Sequence, residues 1–217
     1  MPKLIAIALL FTGSLANQPI RPERKIQGNT ITSANNPVAT IQLLNSPAYV
    51  GADRWILYGI ADCELHAFVQ ADSQKNVQRL YWLQFESYLP TRPELHHTYD
   101  SPRHTQINGL DFYIDTWVEP TSDNTKPDSD VEHIHNILQS HGFTLPTGMM
   151  SVRLVYLLDQ QKRKELMFIY SEDVASTGLT VSELRNGGPA HDQWPKLEKD
   201  LIKRAEKSIV IHPLVNP

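Results

Sequence analysis

The chain has 217 residues, 41% hydrophobic and 20% charged, with a net charge of −4 at neutral pH. These are ordinary globular values, and a chain of this size buries roughly 70% of its unfolded surface, enough for a core without staples. The mildly acidic balance and the lack of a basic stripe argue against a general nucleic-acid binder, and the single cysteine, Cys63, excludes an intramolecular disulfide.

Met1-Pro2-Lys3 gives a short positive start. Leu4 to Phe11 is an unbroken apolar run, and Ser14-Leu15-Ala16 places small residues before a cleavage point at Asn17. This is the layout of a secretory signal peptide over 1–16, and its apolar run is too short to span a bilayer as a helix. The residue directly after the cleavage point is Asn17 rather than cysteine, so lipid attachment at the new N-terminus is not indicated, and no Asn-x-Ser/Thr sequon occurs. The expected address is therefore periplasmic or extracellular, bacterial rather than eukaryotic, with no membrane span in the mature chain.

Residues 17–53 are polar and punctuated by Pro19, Pro22, Pro37 and Pro47. They read as an extended N-terminal arm, with one edge strand over Val38 to Leu44. A single α+β domain is expected over 54–213. From Trp55 to Gln70 apolar and polar residues alternate with period two, which predicts a long strand or two short ones in line, bent at Gly59. Cys63 falls in this pattern as a buried thiol. Val77 to Leu89 alternates again, with Tyr81, Leu83 and Phe85 opposite Trp82, Gln84, Glu86 and Tyr88, and pairs with the first segment as a hairpin.

After an irregular loop over Pro90 to Pro102, Asn108-Gly109 is a strong hairpin signal, because both residues tolerate positive φ. The strand that follows puts Leu110, Phe112, Ile114, Thr116 and Val118 on one face and Asp111, Tyr113, Asp115 and Trp117 on the other. Asp128 or Ser129 caps a helix whose stripe is Val131, Ile134, Ile137 and Leu138, with Glu132 placed for a capping box and Gly142 as its end. Met149 to Asp159 and Lys164 to Tyr170 form a second hairpin around Gln160 to Arg163. Thr180 caps a short turn containing Glu183, and a last helix carries Trp194, Leu197, Leu201, Ile202 and Ala205 at helical spacing, with Pro195 in its first turn. The expected architecture is α+β: a twisted antiparallel sheet of five to seven strands built from hairpins, with two main helices packed on one face.

The familiar fingerprints GxGxxG, GxxxxGK, HExxH, GxSxG and paired CxxC are missing, so no cofactor is indicated. Three constellations remain. The sheet's second face gathers Glu64, His66, Trp82, Gln84, Glu86, Tyr113, Asp115 and Trp117, a mixture of aromatic and polar groups suited to a ligand cleft. Arg153 joins these candidates, because a charge inside an apolar strand needs a partner, such as Glu165, or a ligand anion. His96, His97 and His104 lie in one loop and offer imidazoles to a metal. His133, His135 and His141 read as ordinary helix histidines, and Arg163-Lys164-Glu165 as turn chemistry.

Three roles follow. The first is an exported, non-enzymatic binding or accessory protein whose sheet face takes a small amphipathic molecule or a peptide segment. The second is a small hydrolase or transferase in which His66 works with Glu64, Glu86 or Asp115. The third is an envelope-assembly protein that adds a strand to a partner. Ligand identity and oligomeric state are not written in the sequence.

Overall fold

The computed structural model describes residues 20–122 and 125–213. The expected signal peptide over 1–16 lies outside the described residues. In chain order the elements are β1 (Lys25–Gln27), β2 (Thr30–Ala34), β3 (Val38–Leu43), β4 (Ala48–Leu57), β5 (Ala61–Ala71), β6 (Val77–Tyr88), β7 (His104–Ile107) and β8 (Leu110–Pro120). There follow α1 (Asp130–Ser140), β9 (Gly148–Leu157), β10 (Lys164–Asp173), α2 (Val181–Leu184), α3 (Trp194–Glu206) and β11 (Ile209–Pro213).

The strands form two antiparallel sheets. The larger has the order β4-β5-β6-β10-β9-β8-β7, and the smaller β1-β2-β3-β11. The α+β class and the hairpin construction agree with expectation. The second sheet does not, and it is built largely from the segment read as an arm. Residues 25–43 make β1 to β3, and Ala48–Leu57 forms the edge of the larger sheet. The strand expected over Val38 to Leu44 exists as β3, but between β2 and β11 rather than at an edge. Ile31, Ala39, Ile41 and Leu43 alternate inward and are fully or almost fully buried, which pays for ordering a segment otherwise polar.

Sixteen alternating residues prove to be two strands folded back on each other. Tyr58 and Gly59 sit at φ 47° and 72°, and the Ile60 amide donates to the Leu57 carbonyl at 2.9 Å. Two consecutive residues at positive φ match the right-handed twist of the strands they join. At Asn108-Gly109, φ is 52° and 83° and Ile107 pairs with Leu110, the expected two-residue hairpin.

Each face of the larger sheet carries a buried core. On one, Tyr81, Leu83, Phe112, Val152 and Phe168 pack with the smaller sheet and with Leu201 and Ala205 of α3. On the other, Cys63, Leu65, Ala67, Trp82 and Val155 pack with Ile134, Ile137 and Leu138 of α1. The two main helices therefore lie on opposite faces, contrary to expectation. Each apolar stripe needs a partner surface, and a sheet apolar on both sides offers two. Ser129 caps α1, its hydroxyl accepting the Glu132 amide, while Glu132 reaches back to the Asp128 amide at 2.7 Å, one residue earlier than a capping box requires. Thr180 and Glu183 do form a complete capping box on α2.

Candidate functional site

Strand register decides which side chains meet. Trp82 pairs with Ala67 and Ile169, Ile169 with Arg153, and Arg153 with Asp115. One row along, Gln84 pairs with Leu65 and Met167, Met167 with Val155, and Val155 with Tyr113. Cross-strand partners point to the same side. Trp82, Gln84, Glu86, Tyr113, Asp115, Trp117 and Arg153 thus share the face that carries α1. Glu64 and His66 do not: they pair with Phe85 and Leu83 on the opposite face. The alternation along β5 is correct, but its phase relative to β6 is the reverse of that expected.

Helix α1 leans over β4 and β5 and leaves the strands beyond them partly open. Between its first turn, the residues before it and the sheet lies a hollow of about 520 Å³, whose apolar walls include Trp82, Trp117, Leu80, Met149, Met167 and Ile169. Gln84 Oε1 accepts the Trp82 indole N–H at 3.0 Å, and Glu119 Oε1 accepts that of Trp117 at 2.8 Å, so both rings are held by their polar edges. The polar wall includes Ser151 and Ser171, hydrogen-bonded to each other at 2.8 Å, together with Asp130 and Arg153. Arg153 also lines a more polar cleft of about 680 Å³ with Tyr99, His97 and Asp115. Its partner is Asp115, at 2.5 Å from Nη2, and not Glu165, because β9 and β10 pair Glu165 with Leu157.

Glu86 and Glu165 face each other across β6 and β10. Burial raises both carboxyls. Glu86 reaches about 7, helped by the Asp130 charge, and Glu165 about 8, helped by the Glu86 charge. The loop between β6 and β7 covers them. The Tyr99 hydroxyl donates to Glu165 Oε2 at 2.6 Å, and His97 Nδ1 lies 3.0 Å from the same oxygen. Burial pushes His97 down to about 4, so at neutral pH a neutral imidazole faces the protonated Glu165 carboxyl and its Nδ1 can take a hydrogen bond from it. Arg163, read from sequence as turn chemistry, fixes the same loop by donating to the carbonyls of Tyr88, Leu89, Arg92, Pro93 and Leu95.

Glu64 belongs to a structural anchor. It accepts from the Glu23 and Arg24 amides at 2.8 and 3.0 Å, from Arg24 Nη1 at 2.9 Å and from His66 Nε2 at 2.8 Å. Burial would raise its carboxyl, but these hydrogen bonds and the Arg24 charge outweigh burial and hold it at about 2. The loop histidines do not converge. His96 is exposed beside the Glu94 carbonyl, His97 turns in to Glu165, and His104 lies 2.9 Å from Asp111 across its hairpin. Among the described residues no group of three or more His, Cys, Asp or Glu is placed to hold a metal ion. Cys63 is buried, and its thiol is pushed up by burial and by neighbouring Glu86. His133 docks α1, with Nδ1 2.7 Å from Asp53 and its ring 3.8 Å from that of Trp55.

No family model, curated protein or solved structure matches this chain. Among the described residues no helix is long and apolar enough to cross a membrane. Residues that sequence reasoning left out of the site are Asp130, Tyr99 and Glu165. Glu165 carried a signal: it is a lone carboxylate before the apolar run Leu166 to Tyr170, in phase with Glu86 once the β6–β10 register is known. Asp130 and Tyr99 reach the face from segments that lie outside the sheet, which strand periodicity does not report.

Proposed function

We propose that this chain is an exported, non-enzymatic binding protein that takes a small amphipathic molecule into the hollow beside Trp82 and Trp117. One observation carries this reading: two tryptophans with fixed indoles form walls of a 520 Å³ hollow that also has polar groups on its sheet floor. Ligand sites combine apolar area with a few polar groups that set orientation, in volumes of this size. Export rests on the sequence of residues 1–16 alone.

The enzymatic alternative is disfavoured at each of its sites. His66 and Glu64 are buried, and the Glu64 carboxylate is already engaged by Arg24 and two backbone amides. The Glu86–Glu165 pair has pKa values suited to acid–base work, but Glu165 is 3% exposed and capped by Tyr99 and His97. A strand-donating arm is disfavoured as well, since residues 25–43 are already paired within this chain.

Titration with N-phenyl-1-naphthylamine, a neutral apolar fluorophore, tests the reading. Its fluorescence should rise saturably. Trp117→Ala, at a half-exposed position, should weaken binding about tenfold, the scale of one lost aromatic wall. A titration with no saturable component, or one unaffected by Trp117→Ala, contradicts it.

A further inference from the structure

The hollow is not electrically neutral in its preferences. Asp130 lines it, and the Oδ1 atom of Asp130 is buried without a hydrogen-bond partner. A buried carboxylate oxygen left unsatisfied is costly, and native proteins rarely keep one without a use. The Asp130 charge is felt as far as Glu86, whose carboxyl it helps to raise, and Glu119 stands beside Trp117.

The two basic side chains of the wall, Arg153 and Lys126, are each held by a partner other than Asp130. Arg153 donates through Nε and Nη2 to Asp115, at 3.2 and 2.5 Å. The Lys126 ammonium sits 4.7 Å above the Tyr58 ring. The first turn of α1 contributes a positive end worth roughly half a charge, but Asp130 and Glu132 in that turn exceed it. A carboxylate lacking a counter-charge beside two indoles is the chemistry that recognises an organic ammonium ion, since indole faces attract cations and desolvation strengthens the attraction. Burial raises the Asp130 carboxyl, opposed by Gln84 and His133, as expected of a carboxylate still lacking a full counter-charge.

Building on the reading of the hollow as a binding site, we infer that its ligand is an apolar amine in its ammonium form. The ammonium is received by Asp130 and the hydrocarbon body lies against Trp82 and Trp117. The amphipathic molecule is thereby a cation, and the arginine on the floor is a structural partner of Asp115 rather than an anion receptor.

Displacement of bound N-phenyl-1-naphthylamine by three probes of equal length, hexylammonium, 1-hexanol and hexanoate, tests this at neutral pH and low salt. Hexylammonium should displace the fluorophore at about tenfold lower concentration than 1-hexanol, the worth of one desolvated charge contact, with hexanoate the weakest. Asp130→Asn should bring hexylammonium and 1-hexanol within about twofold of each other, while Glu132→Gln, in the same turn, should leave the preference intact. Should Asp130→Asn fail to fold, the order of the three probes on the wild-type chain still decides. Equal or stronger displacement by hexanoate overturns the inference, as does a preference that survives Asp130→Asn. No saturable fluorophore binding overturns the binding reading itself, and the inference with it. Fluorophore binding without an ammonium preference overturns the inference alone.

Discussion

Glu64 and Glu165 are buried glutamates two strands apart, yet their carboxyls are displaced in opposite directions. Glu64 receives four hydrogen bonds and an arginine charge; Glu165 faces a second carboxyl and a neutral imidazole. The sign of each contribution to stability follows. With a folded value of about 2 against 4.5, Glu64 stabilises above about pH 4.5, and this is lost as pH falls towards about 2. The contribution is about 3 kcal/mol. Glu64→Gln should cost about 3 kcal/mol in urea unfolding at neutral pH, because it leaves Arg24 buried without its counter-charge. It should also lessen the fall in stability at the acid end, where Glu172 and Glu23 supply part of the remainder; an unchanged acid limb contradicts the anchor. Glu165 behaves in reverse. Its folded value of about 8 lies above 4.5, so its proton-bound form supports the fold fully below about pH 4.5 and the support fades as pH rises to about 8. Glu165→Gln keeps a donor for His97 and an acceptor for Tyr99. It should lessen the fall in stability across that window, Glu86 supplying what remains, and make the variant more stable than wild type at its upper end. A wild-type slope that persists in Glu165→Gln contradicts the assignment.

At the scale of elements, legibility depended on how many faces a segment buries. The Asn108-Gly109 hairpin, the capped turn at Thr180, and the stripes of α1 and α3 were readable because each is specified by local chemistry. The turn at Tyr58-Gly59 was not, since a tyrosine at positive φ is unusual and the alternation continues through it. The phase of β5 was lost for another reason: with both faces buried, period two says that side chains alternate but not which row each joins. Strands of three to six residues between Asn- and Pro-containing turns looked like an arm, because each covers little area until paired. Two element contacts bear checking. A Cβ at Gly188 would lie 2.3 Å from the Ser182 carbonyl oxygen and 2.4 Å from that of Glu183. Gly188→Ala should therefore cost about 1–3 kcal/mol in thermal or urea unfolding, and a neutral result contradicts this close approach. Arg163→Gln removes most of the donors holding the loop over Glu165. Amide exchange across residues 95–99 should quicken at least tenfold while β6 and β10 stay protected, the pattern of local opening. Equal exchange in both proteins contradicts the role given to Arg163.

Over the whole molecule, a seven-stranded sheet is sandwiched between unequal covers. The smaller sheet and α3 close one face, whereas α1 and the loop from β6 close only part of the other. The hollow is the remainder of that incomplete cover, and the expected gathering of Trp82 and Trp117 survives in it. Tyr113 shares the face but stacks near Tyr99 and His104, away from the hollow. The four tryptophans supply an internal control. Trp82 and Trp117 line the hollow, Trp55 stacks on His133, and Trp194 packs on the far side of the sheet. Following the four indole N–H resonances by heteronuclear NMR during titration with N-phenyl-1-naphthylamine is the most direct measurement of the central claim. Saturable shifts at Trp82 and Trp117, with Trp194 unmoved, are the result expected. Shifts at Trp194 alone, or unmoved Trp82 and Trp117 resonances at a saturating fluorophore concentration, would contradict it.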